Sequence, residues 1–304
     1  MRTEAFRVHT GDGFPLFGLG HGLDEAGTAV LYVHGLGGNG FTLFSDDLAE
    51  ALPAAGYPFL RGNLREAELL RIDEFPSAAE VRKGGGAFHR FDDCVPDIRA
   101  WLDQAESTGH DRVVLLGHSL GSLKATHYLA RTQDPRVAGL VLASTADLIA
   151  MHEARYSPEE RRSFESLAQR MVREGSGEEL MPAECAMGLM RQPVSAASYL
   201  DRFGPVPAWD VMDLAGRGSA RAFSALRQVR VPVLALFGTV SETVAAEEIE
   251  PAFERLRRAA VAAPSFTTDV LEGANHFYTG HGARLAAAML TWLNSEVKAG
   301  DREA

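Results

Sequence analysis

The chain has 304 residues, of which 46% are hydrophobic and 23% are charged, and its formal net charge is −11. This composition supports a large folded core and argues against global disorder, while the acid excess argues against a nucleic-acid-binding surface. The two cysteines, Cys94 and Cys185, are far apart and in no metal-ligand spacing, so we interpret them as buried free thiols. No secretory signal and no apolar run of membrane-spanning length are visible, which predicts a cytoplasmic protein with no membrane partner.

The chain begins with three predicted strands. Ala5–His9 and Leu16–His21 alternate in polarity on either side of a Gly-Asp-Gly turn, which predicts an antiparallel hairpin. Ala29–Val33 is a continuous apolar run, as expected for a strand buried on both faces. The elements predicted next are a helix near 44–52, a strand at Tyr57–Leu60, a helix near 98–105, a strand at Arg112–Leu116, a helix at Ser119–Arg131 and a strand at Val137–Ala143.

This alternation stops between residues 146 and 228, where the sequence is strand-poor and interrupted by prolines. It resumes with strands at Val233–Phe237 and Phe266–Leu271 and with helices near 246–260 and 285–293. Strands that alternate with helices predict an α/β fold with a mostly parallel sheet and helices on both faces. We therefore predict a core formed by residues 1–145 and 229–304, with a helical insertion at 146–228.

The sequence Gly-His-Ser-Leu-Gly at 117–121 is the strongest chemical motif in the chain. It lies between a predicted buried strand and a predicted helix, which is the setting of a nucleophile elbow. In such a turn the serine takes a strained backbone conformation, the glycines leave room for it, and the helix N-terminus favours developing negative charge. We therefore predict that Ser119 is a catalytic nucleophile.

The second motif is the loop His-Gly-Leu-Gly-Gly at 34–38, directly after the Ala29–Val33 strand. In a serine hydrolase this loop supplies one backbone N–H of the oxyanion hole, and the residue after the nucleophile supplies the other. We assign these roles to Leu36 and Leu120. The loop also fits the dinucleotide-binding pattern G-x-G-x-x-G, but two strands precede it and no acid ends the next strand, so we disfavour nucleotide binding.

A base for Ser119 is predicted near the end of the chain. His276 lies in the sequence Gly-Ala-Asn-His-Phe at 273–277, just after the last predicted strand. A serine hydroxyl is a poor nucleophile at neutral pH and needs such a base. Because a loop at this edge of the sheet can hold a histidine over the elbow, we predict that His276 activates Ser119.

With these motifs the chain resembles the serine-nucleophile branch of the α/β-hydrolase superfamily over nearly its whole length. The resemblance implies an eight-stranded, mostly parallel sheet, a helical cap at 146–228, and the order nucleophile, acid, histidine. The chain departs from the family at the acid, because Gly-Thr-Val-Ser-Glu at 238–242 replaces the usual Gly-x-x-Asp. Glu242 is one residue late but one methylene longer, and some members use the position of Asp147. We favour Glu242, with Asp147 or neither residue left open.

These features predict a hydrolase that cleaves a small or medium carboxylic ester, thioester or lactone through an acyl-enzyme on Ser119. No metal and no organic cofactor are implied. Two alternatives stay open: a biosynthetic enzyme that uses the same serine for acyl transfer, cyclisation or C–C bond chemistry, and a non-catalytic ligand receptor with this fold. The sequence does not identify the substrate or the oligomeric state.

Overall fold

The structure is a computed structural model that describes residues 2–74, 81–186, 191–240 and 249–298. Its central feature is an eight-stranded sheet. The strands are β1 (Thr3–His9), β2 (Pro15–His21), β3 (Ala29–Val33), β4 (Phe59–Gly62), β7 (Val113–His118), β8 (Val137–Ala143), β9 (Val233–Val240) and β10 (Phe266–Asn275). Their spatial order is β1-β2-β4-β3-β7-β8-β9-β10. A separate hairpin is formed by β5 (Arg71–Glu74) and β6 (Val81–Gly84).

The sheet is mostly parallel, as predicted. Only β1 and β2, and β2 and β4, pair in antiparallel fashion, whereas every pair from β4 across to β10 is parallel. The middle strands β3 and β7 are buried along their whole length, which explains their continuous apolar sequences. The parallel strands all end at one edge of the sheet, and the loops at that edge carry the predicted functional residues.

Helices cover both faces of the sheet, which confirms the predicted fold class. The helices are α1 (Leu43–Ala54), α2 (Cys94–Ser107), α3 (Leu120–Thr132), α4 (Leu148–Arg155), α5 (Pro158–Arg173), α6 (Ala196–Phe203), α7 (Ile249–Ala259) and α8 (Gly282–Trp292). α1 and α8 pack on one face, and α2, α3 and α7 pack on the other. Cys94 and Cys185 are buried free thiols, as predicted. Within the described ranges, no helix is both long and apolar enough to cross a membrane.

The chain between β8 and β9 contains α4, α5 and α6 and, in its described part, adds no strand to the large sheet. This segment has its own apolar cluster, which includes Tyr156, Phe164 and Tyr199. Leu36 of the loop after β3 packs against this cluster and also against the core of the sheet. The segment therefore contacts the loop for which the sequence predicts an oxyanion-binding role.

Candidate active site

Ser119 lies in the single-residue turn between β7 and α3. Its backbone angles are φ 55° and ψ −125°, a conformation that costs a non-glycine residue roughly 1–3 kcal/mol. The Ser119 N–H donates to the carbonyl of Ala143 at 2.9 Å, and the Ser122 N–H donates to the carbonyl of Ser119 at 3.1 Å. These bonds hold the serine in the strained turn that the motif predicts.

Two glycines let the backbone pass close to this turn. A Cβ atom on Gly121 would lie 1.9 Å from the carbonyl oxygen of Val33, which no side chain can tolerate. A Cβ atom on Gly35 would lie 3.1 Å from Cβ of Ser119. Glycine at these positions therefore allows the strand–turn–helix unit and the loop after β3 to pack directly against each other.

The loop at 34–38, here called the oxyanion loop, is fixed by the ring of His34. The Leu64 N–H donates to Nε2 of His34 at 3.0 Å, so the ring hydrogen is on Nδ1, which donates to the carbonyl of Gly35 at 2.9 Å. Burial lowers the pKa of His34 well below its ordinary value, in agreement with this neutral form. Because the peptide is trans, the Leu36 N–H points away from the carbonyl that His34 holds.

His276 lies in the loop after β10 and is almost fully buried. The ring of His118, inside the elbow, donates from Nε2 to the main-chain carbonyl of His276 at 2.7 Å. Burial, with a smaller effect of His276, lowers the pKa of His118 to about 3, so His118 is a neutral donor. The elbow thus anchors the backbone that carries the predicted base, and the two rings lie 5.0 Å apart between centroids.

The predicted nucleophile, base and oxyanion-hole residues border one cavity of about 310 Å³. Most of its lining is apolar, with Leu148, Met151 and Phe277 among the contributors. The other lining residues are Tyr32, His34, Gly35, Leu36, Gly37, Gly38, Thr42, His118, Ser119, Leu120, Ala146, Gln192 and His276. An apolar cavity with a few converging polar groups is the usual form of a small-molecule site.

The two sequence candidates for the acid differ in what the structure describes. Glu242 lies outside the described residues. The buried carboxylate of Asp147 caps α4 by accepting the Ala150 N–H at 2.9 Å, and it also accepts the Ala215 N–H and pairs with Arg217, each at 3.2 Å. Burial raises the pKa of Asp147, and these partners oppose the shift. Its described hydrogen bonds and ion pairs account for both carboxylate oxygens, and none joins it to His276.

A buried charged cluster behind the oxyanion loop was not predicted from the sequence. Lys124 and Glu66 are both fully buried and in contact, and Nζ of Lys124 donates to the carbonyl of His34 at 2.6 Å. Nδ1 of His89 lies 2.9 Å from the other oxygen of Glu66. Burial lowers the pKa of the Lys124 ammonium well below its ordinary value, and the charge of Arg202 lowers it further. Lys124 follows Leu120 by one helical turn on the apolar stripe of α3, a signal that would have singled it out.

Solved structures and one curated relative resemble this chain. The α/β hydrolase GrgF from Penicillium sp. sh18 is 15% identical, with a TM-score of 0.67 over 98% of this chain and 100% of that one. The Pyrococcus furiosus esterase Pf2001 is also 15% identical, with a TM-score of 0.60 over 97% of this chain and 92% of that one. Phospholipase YtpA of Bacillus subtilis is 29% identical over 97 residues, which span 32% of this chain and 33% of that protein.

The sheet, its helices and the likeness to these structures define the class of the protein. The chain has the α/β-hydrolase fold. At this level of identity the solved structures establish the fold alone. Residues 19–298 match the family described as "Protein of unknown function (DUF1749)", and the chain belongs to that family.

Proposed function

We propose that this protein is a serine hydrolase that cleaves a carboxylic ester through an acyl-enzyme on Ser119. The observation that carries the proposal is the strained Ser119 turn, which borders one cavity together with His276 and the backbone of Leu36 and Leu120. The names of an esterase of the same fold and of a partly matching phospholipase are consistent with ester chemistry.

In the proposed mechanism, His276 removes the Ser119 proton as the Ser119 oxygen attacks the ester carbonyl carbon. The carbonyl electron pair moves to oxygen, and the amides of Leu36 and Leu120 stabilise the resulting charge. The C–O bond to the alcohol then breaks, and His276 returns the proton to the leaving alcohol. Water, deprotonated by the same histidine, attacks the acyl-enzyme and releases the acid. Glu242 is the proposed partner that orients His276.

The cavity supports a small substrate. Its volume of about 310 Å³ is at the lower end of ligand pockets, which span roughly 300–1,000 Å³. We propose that residues 146–228 act as a helical cap, because Leu148, Met151 and Gln192 from this segment line the cavity beside the elbow. The acyl chain would lie against these side chains, so the cap would set chain-length preference.

A fluorophosphonate probe tests this proposal, because an activated serine attacks its phosphorus and displaces fluoride. We expect one label per chain on Ser119 by peptide mass spectrometry. We also expect turnover of p-nitrophenyl esters to fall as the acyl chain lengthens from acetate and butyrate to dodecanoate. Ser119→Ala should abolish labelling and lower kcat/KM by roughly 10⁴-fold or more, with an unchanged thermal unfolding curve.

The proposal is wrong if folded Ser119→Ala protein hydrolyses these esters as fast as the wild type. Stoichiometric labelling without turnover of any ester would instead favour acyl transfer or another chemistry on the same serine. Absence of both labelling and turnover would favour the non-catalytic receptor.

A further inference from the structure

The buried pair Lys124–Glu66 has no part in the proton transfers proposed above, yet it contacts the oxyanion loop. Both side chains have no exposed surface, and the ammonium bridges the Glu66 carboxylate and the main-chain carbonyl of His34. Burying an ion pair gives little net stability relative to well-packed apolar residues of similar size. Stability of the fold alone therefore does not account for this pair.

The position of Lys124 connects the two sources of the proposed oxyanion donors. Lys124 is on α3, whose first residue, Leu120, supplies one N–H. The carbonyl that it holds belongs to His34, which starts the loop that supplies the Leu36 N–H. This Nζ–H···O bond of 2.6 Å links the helix to the loop.

Glu66 stabilises this link through its contact with the Lys124 ammonium. Its turn contacts the oxyanion loop at two further points, because the Leu64 N–H donates to the His34 ring at 3.0 Å and the Glu68 N–H donates to the carbonyl of Gly38 at 3.2 Å. The Glu66 carboxylate between these contacts fixes the ammonium of Lys124. Both ends of the oxyanion loop are thereby tied to the 64–68 turn, and its His34 end is tied to α3.

We propose that Lys124 and Glu66 are positioning residues that keep the Leu36 and Leu120 amides at the spacing that an oxyanion requires. This inference rests on the proposed serine-hydrolase function. An oxyanion hole stabilises the transition state only when its donors are preorganised, since the charge appears only as the serine attacks. Loss of the pair should therefore affect kcat much more than KM.

The decisive variant removes both charges at once. Lys124→Met alone leaves a buried, uncompensated carboxylate and is expected to be strongly destabilised. Lys124→Met/Glu66→Gln removes the ammonium together with the charge that it balances, so its melting temperature should return toward that of the wild type. Its kcat on p-nitrophenyl acetate should be lower than that of the wild type by on the order of 10- to 100-fold. This loss is smaller than the roughly 10²- to 10³-fold cost of deleting an oxyanion donor.

Arg136→Met is the matched control. Arg136 lies at the amino end of β8, away from the site, and pairs with Asp103, Glu106 and Asp134. Its loss should lower the melting temperature and leave kcat unchanged. The fluorophosphonate labelling rate gives a second readout, because phosphonylation of Ser119 uses the same two amides and should slow in parallel with kcat in the double variant.

A folded double variant with kcat and labelling rate within twofold of the wild type would overturn the inference. If the double variant does not fold, Glu66→Asp decides, because it keeps both charges and shortens the carboxylate side chain by one methylene. We expect its kcat to fall about 3- to 10-fold at constant KM, on the scale of a weakened oxyanion contact, and an unchanged kcat would overturn the inference. Failure of the underlying function has a different signature, because the wild type itself would then neither turn over esters nor take the label.

Discussion

At the scale of single residues, two buried tyrosines differ in the hydrogen bonding of their hydroxyls. Tyr32 is 1% exposed, and its hydroxyl makes no hydrogen bond of standard geometry in the described residues, although the Thr42 side chain is near enough to oppose the rise of its pKa on burial. Tyr278 is also buried, but its hydroxyl accepts from Ser144 at 2.8 Å and donates to the carbonyl of Leu236 at 3.2 Å. The two tyrosines are thus a matched pair that differ in hydrogen bonding.

We predict that Tyr32→Phe leaves the free energy of unfolding unchanged or raises it by up to about 1 kcal/mol, because it removes a buried hydroxyl that makes no hydrogen bond of standard geometry. Tyr278→Phe should lower the same quantity by about 1–2 kcal/mol, because two bonded groups lose their partner. Urea denaturation of both variants measures the difference. Equal destabilisation by the two substitutions would mean that the Tyr32 hydroxyl is bonded in solution.

At the scale of elements, the two candidates for the acid follow different strands in the chain: Asp147 comes after β8, and Glu242 comes after β9. Asp147 begins α4 and binds Arg217 and two backbone amides, so its carboxylate has a structural role. We predict that Asp147→Asn lowers the melting temperature and keeps most of the activity. Glu242→Gln should lower kcat by up to ~10⁴-fold with an unchanged melting temperature, because His276 would lose the group that orients it. Steady-state kinetics and thermal unfolding test the pair.

The opposite result, an inactive Asp147→Asn and an active Glu242→Gln, would move the acid to the loop after β8. Two active variants would mean that neither carboxylate serves His276. Such a result would leave the labelling of Ser119 as the only support for the proposed mechanism.

The elements show what a sequence can predict and what it cannot. β3 and β8 have the predicted bounds, because strands buried on both faces are continuous apolar runs. β9 and β10 continue beyond their predicted ends to Val240 and Asn275, because glycines and polar residues interrupt the apolar runs from which the strands were predicted. The hairpin β5–β6 was not predicted, since Arg-Ile-Asp-Glu at 71–74 shows no strand-like enrichment.

The candidate site also has parts that the sequence predicts and parts that it does not. Ser119, His276 and the oxyanion loop were predicted because each lies in a local motif next to a strand. The Lys124–Glu66 pair was not, since its partners are distant in the chain and meet only when the fold brings α3 against the turn after β4. The pairing of Asp147 with Arg217 depends on the same kind of long-range contact.

At the scale of the whole molecule, buried neutral histidines make stability depend on pH. Burial is the main cause that lowers the pKa of His89 to about 4, of His118 to about 3 and of His152 to about 4. The unfolded chain binds protons at these residues below about pH 6.5, whereas the native protein does not until about pH 4. The free energy of unfolding should therefore fall as the pH falls from about 6.5 to 4.

Several carboxyl groups change the free energy of unfolding in a different pH range from the histidines, or in the opposite direction. Partners lower the pKa of Asp12 and of Asp134 to about 2, so their contribution is lost only below about pH 4. Burial raises the pKa of Asp97 and of Asp147, which opposes the histidines just above pH 4. A single histidine variant isolates one contribution from this sum.

His152 is the best residue for that test because it lies away from the elbow, stacked on Phe203 at 3.8 Å between ring centroids. His152→Phe keeps an aromatic ring but cannot bind a proton. From pH 7 to pH 5 the free energy of unfolding should fall in both proteins. We predict that it falls by about 1–2 kcal/mol less in His152→Phe than in the wild type. Phe203→Leu, which weakens the stack and keeps the histidine, should lower stability equally at both pH values. If His152→Phe shows the wild-type pH dependence in urea denaturation, His152 is protonated in the native protein as readily as in the unfolded chain.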